Sequence, residues 1–223
     1  MSDNTQPLST RATTWGGAGT ALAGLIAILG ALQLVLPLND WVSVRFLGTV
    51  PVLMGSVLLL ASMVVLAVGL RDGTGIAGRS VLGRVGLIVF GCSWLVDFLF
   101  SNFLAGFAPG YGGSAGVILG SALDILFSAA LIAGAVAIVR AQVLHGFGRW
   151  VLLLVAACNA IVTAFLFVPI VIFWQALLNW QVDLVIPVLL LVSGVVYLLD
   201  GRTGAIRNRL DAVAAEWRRT TSA

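Results

Sequence analysis

The sequence predicts an all-α polytopic membrane protein. Of its 223 residues, 60% are hydrophobic and only 9% are charged, and the mean hydropathy is +1.10. In soluble domains roughly a quarter of the residues are charged. Apolar runs of about 20 residues, each enough to cross ~30 Å of hydrocarbon as a helix, recur along the chain. They predict six transmembrane helices, at about 19–38, 46–70, 85–107, 115–139, 150–174 and 181–199.

The charges predict the orientation. The basic side chains apart from His145 are all arginines, and the formal net charge is +3. On one side of the predicted helices lie Arg11, Arg71, Arg79, Arg84, Arg140, Arg149, Arg202, Arg207, Arg209, Arg218 and Arg219. The other side has only Arg45, so the positive-inside rule predicts a multi-pass cell-membrane protein with both termini in the cytoplasm. Such a basic surplus in a membrane protein indicates topology and lipid headgroups, with no nucleic-acid partner expected.

Three regions follow from this pattern. Residues 1–17 are polar and predict a flexible cytoplasmic tail, residues 18–200 form the six-helix transmembrane domain, and residues 201–223 form a second cytoplasmic tail. In the second tail, apolar side chains recur at spacings of 4, 3 and 4 residues, at Ile206, Leu210, Val213 and Trp217. This spacing, with arginines between, favours an amphipathic helix on anionic lipid headgroups; a solvated tail is the alternative.

Little in the sequence supports enzyme chemistry. His145 is the single histidine, no ligand set with metal-binding spacing surrounds it, and Cys92 and Cys158 both fall inside apolar runs. We therefore expect no catalytic residue, no metal and no cofactor. Two membrane aspartates, Asp97 and Asp124, lack the Gly-Asp context of intramembrane aspartyl hydrolases.

Asp97 and Asp124 are the most informative residues. Each opens a D-x-L-F-S run inside an apolar segment, in a chain with nine acidic residues. At 1.5 Å per residue, Asp97 lies about 20 Å from Arg84 and Asp124 about 24 Å from Arg140, so both are predicted at similar depth in the outer half of the bilayer. Ionisable residues at such positions normally face the bundle interior or a watery cavity.

Three uses of these acids remain open. They can relay a proton or cation in a transporter, or serve as polar points in an apolar lipid-binding cavity, or join helices through Ser, Asn159 or Thr163. For the cavity we expect contributions from Asp124, Asp97, Gln33, Phe100, Phe127 and Ser128. The preferred hypothesis is a non-catalytic, regulatory or sensing protein that binds a neutral glycerolipid or sterol-like molecule; a homo-oligomer stays open.

Several landmarks resemble the Insig family of six-helix membrane proteins. They are GRVGLIVFG (83–91), GFG (146–148), IPVLLLVSGVVYLLDGRTG (186–204), and the order of VP and G at 50–55. The family also has both termini in the cytoplasm.

This resemblance implies a sterol-type cavity with a polar anchor. Asp124 falls where the family has a functionally important glutamine facing that cavity, which favours a lipid-binding role for Asp124. Ala137 and Ala141 stand where the family has the Trp and Asp associated with binding its protein partner. Partner regulation of the animal kind is therefore not expected here.

Overall fold

The six predicted helices are all present. The computed structural model describes residues 10–35, 44–70, 75–100, 114–144, 146–166 and 184–203, together with Ile206, Leu210, Val213 and Ala214, and these residues contain no strand. The helices are α1 Thr10–Val35, α2 Val44–Val68, α3 Val81–Leu99, α4 Ser114–Ala141, α5 Gly148–Leu166 and α6 Leu184–Thr203. The all-α prediction is confirmed.

Five of the six helices are long and apolar enough to cross a membrane. They have mean hydropathies between 1.6 and 2.4 over 19 to 24 residues, because their charged residues are confined to the helix ends or to single positions. The apolar part of α5, Gly148–Ala164, is shorter. Its predicted continuation to residue 174 lies outside the described residues. The chain is thus a polytopic membrane protein by helix length and composition.

Two domain boundaries differ from the prediction. Helix α1 begins at Thr10, so residues 10–17, expected in the flexible tail, are helical. Ala12 and Thr13 are only 2% exposed, because this end of α1 packs against α6 where the small Gly201 permits close approach. Helix α6 likewise continues to Thr203, whose hydroxyl donates to the backbone carbonyl of Leu199 at 3.0 Å. The polarity of these segments reflects helix ends rather than unstructured tails.

The helices form a closed ring in which neighbours run antiparallel. Contacts join α1 to α2, α2 to α3, α3 to α4, and α4 to α5, and α6 lies against both α5 and α1. Glycines permit the closest approaches. A Cβ at Gly24 of α1 would lie 2.6 Å from the backbone nitrogen of Leu191 in α6, and one at Gly86 of α3 would lie 2.5 Å from the carbonyl oxygen of Ala130 in α4.

The antiparallel order brings six described arginines to one end of the ring, which we call the arginine-rich end. These arginines are Arg11, Arg79, Arg84, Arg140, Arg149 and Arg202. Arg84 fixes the connection between α2 and α3 there, because its Nε and Nη2 donate to the carbonyl of Gly78 at 3.1 and 2.7 Å. The segregation of charge predicted from the sequence therefore corresponds to one end of the fold.

Most of the completely buried apolar core lies in the half of the ring nearest this end. Leu59 and Met63 of α2, Leu131 of α4, Leu152 of α5 and Tyr197 of α6 belong to one packed cluster and are fully buried. Counting 1.5 Å per residue from the helix ends, these five side chains lie within about 15 Å of the arginine-rich end. The interior is therefore closed by side chains on this side.

Few residues of the second tail are described. Ile206, Leu210 and Val213 are helical at their individual positions, and their apolar side chains are 59 to 64% exposed. Trp217 lies outside the described residues. The interfacial helix stays a prediction.

Candidate functional site

Asp97 and Asp124 both lie on the faces of their helices that point into the ring. In α4, Asp124 shares one face with Ser128, Leu131, Ala135 and Ile138, which are spaced at 4, 7, 11 and 14 residues from it. These four side chains are between 0 and 7% exposed. The face is therefore directed at the bundle interior rather than at lipid.

The same relation holds in α3. Gly86, Phe90 and Ser93 precede Asp97 at distances of 11, 7 and 4 residues, and all three are buried. Asp97 thus continues the buried face of its helix, as Asp124 continues that of α4. Counted from the helix ends at the arginine-rich side, Asp97 lies at about 24 Å and Asp124 at about 26 Å.

Both aspartates are nevertheless exposed, although the residues below them on the same faces are buried. A side chain on an inward face is exposed only where the packed interior ends, so the described residues leave an open space between the inward faces at the level of the two acids. We call this space the crevice, defined by Asp97, Asp124, Ser93 and Ser128. It lies beyond the packed core, toward the end opposite the arginines.

The two carboxyl groups lie at similar depth on neighbouring helices. Helices α3 and α4 are in contact, and the acids lie about 24 and 26 Å from the arginine-rich end. Neither carboxylate has a hydrogen bond or ion pair with the part of the chain that the structure describes. Among the described residues, the acids therefore have no partner through which they would join the helices, and their exposed carboxyl groups are accessible to a ligand or to water.

Interhelical hydrogen bonds form one turn deeper, at the floor of the crevice. Asn159 of α5 donates through Nδ2 to the Ser128 hydroxyl at 2.8 Å, and the hydroxyls of Ser128 and Thr163 lie 3.0 Å apart. One of the three uses predicted from the sequence has the acids join helices through Ser, Asn159 or Thr163. The structure pairs Asn159 and Thr163 with Ser128 instead, because Ser128 lies closer to the contact between α4 and α5.

Ser93 is a further polar residue at this depth. It is 7% exposed, and its hydroxyl oxygen has no hydrogen-bond partner among the described residues. It lies four residues before Asp97 and so occupies the same inward face of α3. The floor of the crevice thus combines a satisfied polar cluster on α4 and α5 with an unsatisfied hydroxyl on α3.

The other predicted site residues have different outcomes. Phe100 follows α3 one turn beyond Asp97, and Phe127 lies one turn from Asp124; both are half-buried, as walls of an interior space would be. Gln33 lies in α1, but its side chain is outside the described residues. The structure therefore places Asp97, Asp124, Ser128 and the two phenylalanines within about two helical turns of one another in depth.

The described side chains at this level form no group that could hold a metal ion. Within the described ranges, no group of three or more His, Cys, Asp or Glu residues is positioned to hold a metal ion. Cys92 and Cys158 are free and half-buried. The crevice contains two carboxyl groups, a few hydroxyls and one amide among apolar walls. Such a site suits a mostly apolar ligand with one polar group.

Comparison of the chain with protein-family models, with curated proteins and with solved structures gives no match in any of the three.

Proposed function

We propose that this protein binds a neutral membrane lipid, a glycerolipid or a sterol-like molecule, in the crevice, and that it acts as a regulator or sensor rather than as an enzyme. The observation that carries the proposal is that Asp97 and Asp124 lie on inward faces yet remain exposed. A carboxyl group inside the membrane costs free energy, so its presence there normally marks a functional site.

The chemistry of the crevice supports a neutral ligand with a hydroxyl group. Such a hydroxyl both donates and accepts, so it can bind to an ionised or a protonated carboxyl group at Asp124. Phe100 and Phe127 provide apolar surface beside the acids for a ring or chain. Pockets of this kind use few polar groups for orientation and apolar walls for affinity.

The Insig-like landmarks agree with this proposal, because Asp124 stands at the position of that family's cavity-facing glutamine. In the proposed orientation the arginine-rich end is cytoplasmic and the chain lies in the cell membrane. The crevice then opens toward the outer leaflet, from which a lipid enters between helices.

The proposal is tested by purifying the protein in mild detergent and identifying the bound lipid by mass spectrometry. We expect about one neutral lipid per chain in the unaltered protein and a loss of it in Asp124→Ala. Ile125→Ala is the matched control, because Ile125 is the next residue and is 53% exposed on another face. If the unaltered protein carries no stoichiometric neutral lipid and Asp124→Ala changes nothing, the proposal fails.

The alternative is a small transporter coupled to protons or another cation. The presence of two exposed carboxyl groups at similar depth on the neighbouring helices α3 and α4 favours it, since paired carboxyl groups can share one proton. The crevice above a packed core would then be one state of an alternating-access cycle. Reconstituted vesicles should in that case show flux driven by a pH gradient that is abolished in both Asp97→Asn and Asp124→Asn.

A further inference from the structure

A groove of about 610 Å³ lies on the outside of the ring, between α4 and the segment that connects α2 to α3. This is separate from the crevice and about 160° away around α4, since 3.6 residues form one turn. On α4 the groove follows the face that runs from Ala129 to Ala141. On the opposite side it is lined by Arg79, Ser80 and Leu82, where α3 begins.

The groove is apolar along its length and basic at one end. Its floor on α4 consists of alanines with Ile132 and Val136, and its lining contains no acidic side chain. Arg79 comes from the connection before α3 and Arg140 from the last turn of α4, and both line the groove at the arginine-rich end. Two guanidinium groups thus meet one apolar channel.

A third feature at this end also favours an anion. Ser80 is the N-cap of α3, and its side chain accepts a hydrogen bond from the backbone N–H of Gly83 at 3.1 Å. The N-terminus of a helix carries a partial positive charge and unpaired N–H groups, and it favours phosphate. The basic end therefore combines Arg79, Arg140 and the start of α3.

The dimensions match one leaflet of a bilayer. Ala129 and Ala141 are twelve residues apart, so the groove extends for about 18 Å along α4. Half of a ~30 Å hydrocarbon core is about 15 Å. Leu82 and Ile132 on its walls are 69 and 39% exposed, so the groove is open toward lipid rather than sealed.

We infer that this groove is a binding site for an anionic phospholipid of the leaflet at the arginine-rich end. The phosphate lies between the guanidinium groups of Arg79 and Arg140 near the start of α3, and one acyl chain lies along α4. Charge complementarity selects an anionic lipid over a zwitterionic one, and the apolar channel selects a lipid over free phosphate. The site does not depend on the ligand proposed for the crevice.

Native mass spectrometry of the full-length protein in neutral detergent tests this inference. Phosphatidylglycerol is titrated against phosphatidylcholine of the same chain length. We expect a preference for phosphatidylglycerol that falls about tenfold or more in the Arg79→Gln/Arg140→Gln double variant. The control is Arg202→Gln, which removes one exposed arginine at the same end but outside the groove and should change binding less than twofold.

Two further measurements test whether the acyl chain contributes to binding and whether another molecule occupies the groove. Ala133→Phe fills the groove while keeping both arginines, so it should also lower phosphatidylglycerol binding about tenfold, with thermal stability reported for every variant. Glycerol phosphate and inorganic phosphate should not displace the lipid. Any of four results would overturn the inference. They are equal binding of the two lipids, no effect of the double variant, displacement of the lipid by free phosphate, and a change in oligomeric state in Ala133→Phe without a change in lipid binding.

Discussion

Access of water to the crevice can be measured with single cysteines. We consider Asp124→Cys and Ile125→Cys, each in a background with Cys92→Ala and Cys158→Ala. The two positions are adjacent and both are exposed, but Asp124 lies on the inward face of α4 and Ile125 lies on a neighbouring face with the exposed Ile132. Position 124 should therefore contact water in the crevice, whereas position 125 should contact lipid.

The expected difference in reactivity follows from the cost of charge in hydrocarbon. A thiol reacts as the thiolate, and a charged side chain near the bilayer centre costs roughly 2.5–3.5 kcal/mol by insertion scales. Near the membrane interface this cost falls to about 1 kcal/mol or less, so at 1.4 kcal/mol per factor of ten a lipid-facing thiolate is up to about fivefold rarer than a water-facing one. Asp124 lies about 26 Å from the arginine-rich end, and hence only a few ångströms below the opposite face of a ~30 Å core.

A charged, membrane-impermeant thiol reagent provides the assay. Applied to sealed vesicles from the face opposite the arginines, it should modify a cysteine at position 124 up to about fivefold faster than one at position 125. Asp97→Cys should match position 124, because both acids face the same space. Ser93→Cys should react more slowly, because it is 7% exposed and lies about 6 Å deeper in α3.

Two results would refute the reasoning. Equal rates at positions 124 and 125 would mean that the acid faces lipid or that the interior is closed at this level. Faster labelling from the arginine-rich side would mean that the crevice opens through the region assigned to the packed core.

The remaining predictions concern stability. Gly24→Leu should lower the free energy of unfolding of the purified protein by about 1–3 kcal/mol or abolish its accumulation, because a Cβ there would lie 2.6 Å from the backbone of α6. Gly30→Leu is the control and should have little effect, because the atom nearest to a Cβ at Gly30 is 4.0 Å away. Ser128→Ala should lower unfolding stability by roughly 0.6–2 kcal/mol in a detergent melting experiment, because it removes both hydrogen bonds to α5. Ser121 lies on the same helix and has no hydrogen bond among the described residues, so Ser121→Ala should leave the melting temperature unchanged. An equal effect of the two alanine substitutions would contradict a stabilising role for the hydrogen bonds of Ser128 with Asn159 and Thr163.

The helices and the placement of the acids were predictable from local sequence. Long apolar runs determine helices because backbone groups in lipid must pair internally. The spacing of Ser93, Asp97, Asp124 and Ser128 places them on two narrow stripes, and their cost in lipid requires an inward direction. The closeness of Asp97 and Asp124 then follows if α3 and α4 are antiparallel neighbours, as a short connection predicts.

Features that depend on more distant packing were not predictable. The close approach of α1 to α6 depends on Gly24 meeting Leu191, which are far apart in sequence. The helical start at Thr10 depends on the approach of Gly201 in α6 to Thr13 and Thr14, so polarity alone assigned it to a tail. The groove combines Arg79 with Arg140, and nothing in the periodicity of either segment indicates that the connection between α2 and α3 lies against the end of α4.

Helix α4 separates the two candidate sites in a way that makes them independently testable. Its inward face carries Asp124 near the end opposite the arginines, and its outward face carries the groove that ends at Arg140. A helix of 28 residues holds these groups about 24 Å apart along its axis. At an effective dielectric constant of ~20, two unit charges at that distance interact by about 0.7 kcal/mol, or roughly threefold in affinity. A larger change in anionic-lipid binding in Asp124→Ala would therefore have to pass through a movement of α4 itself.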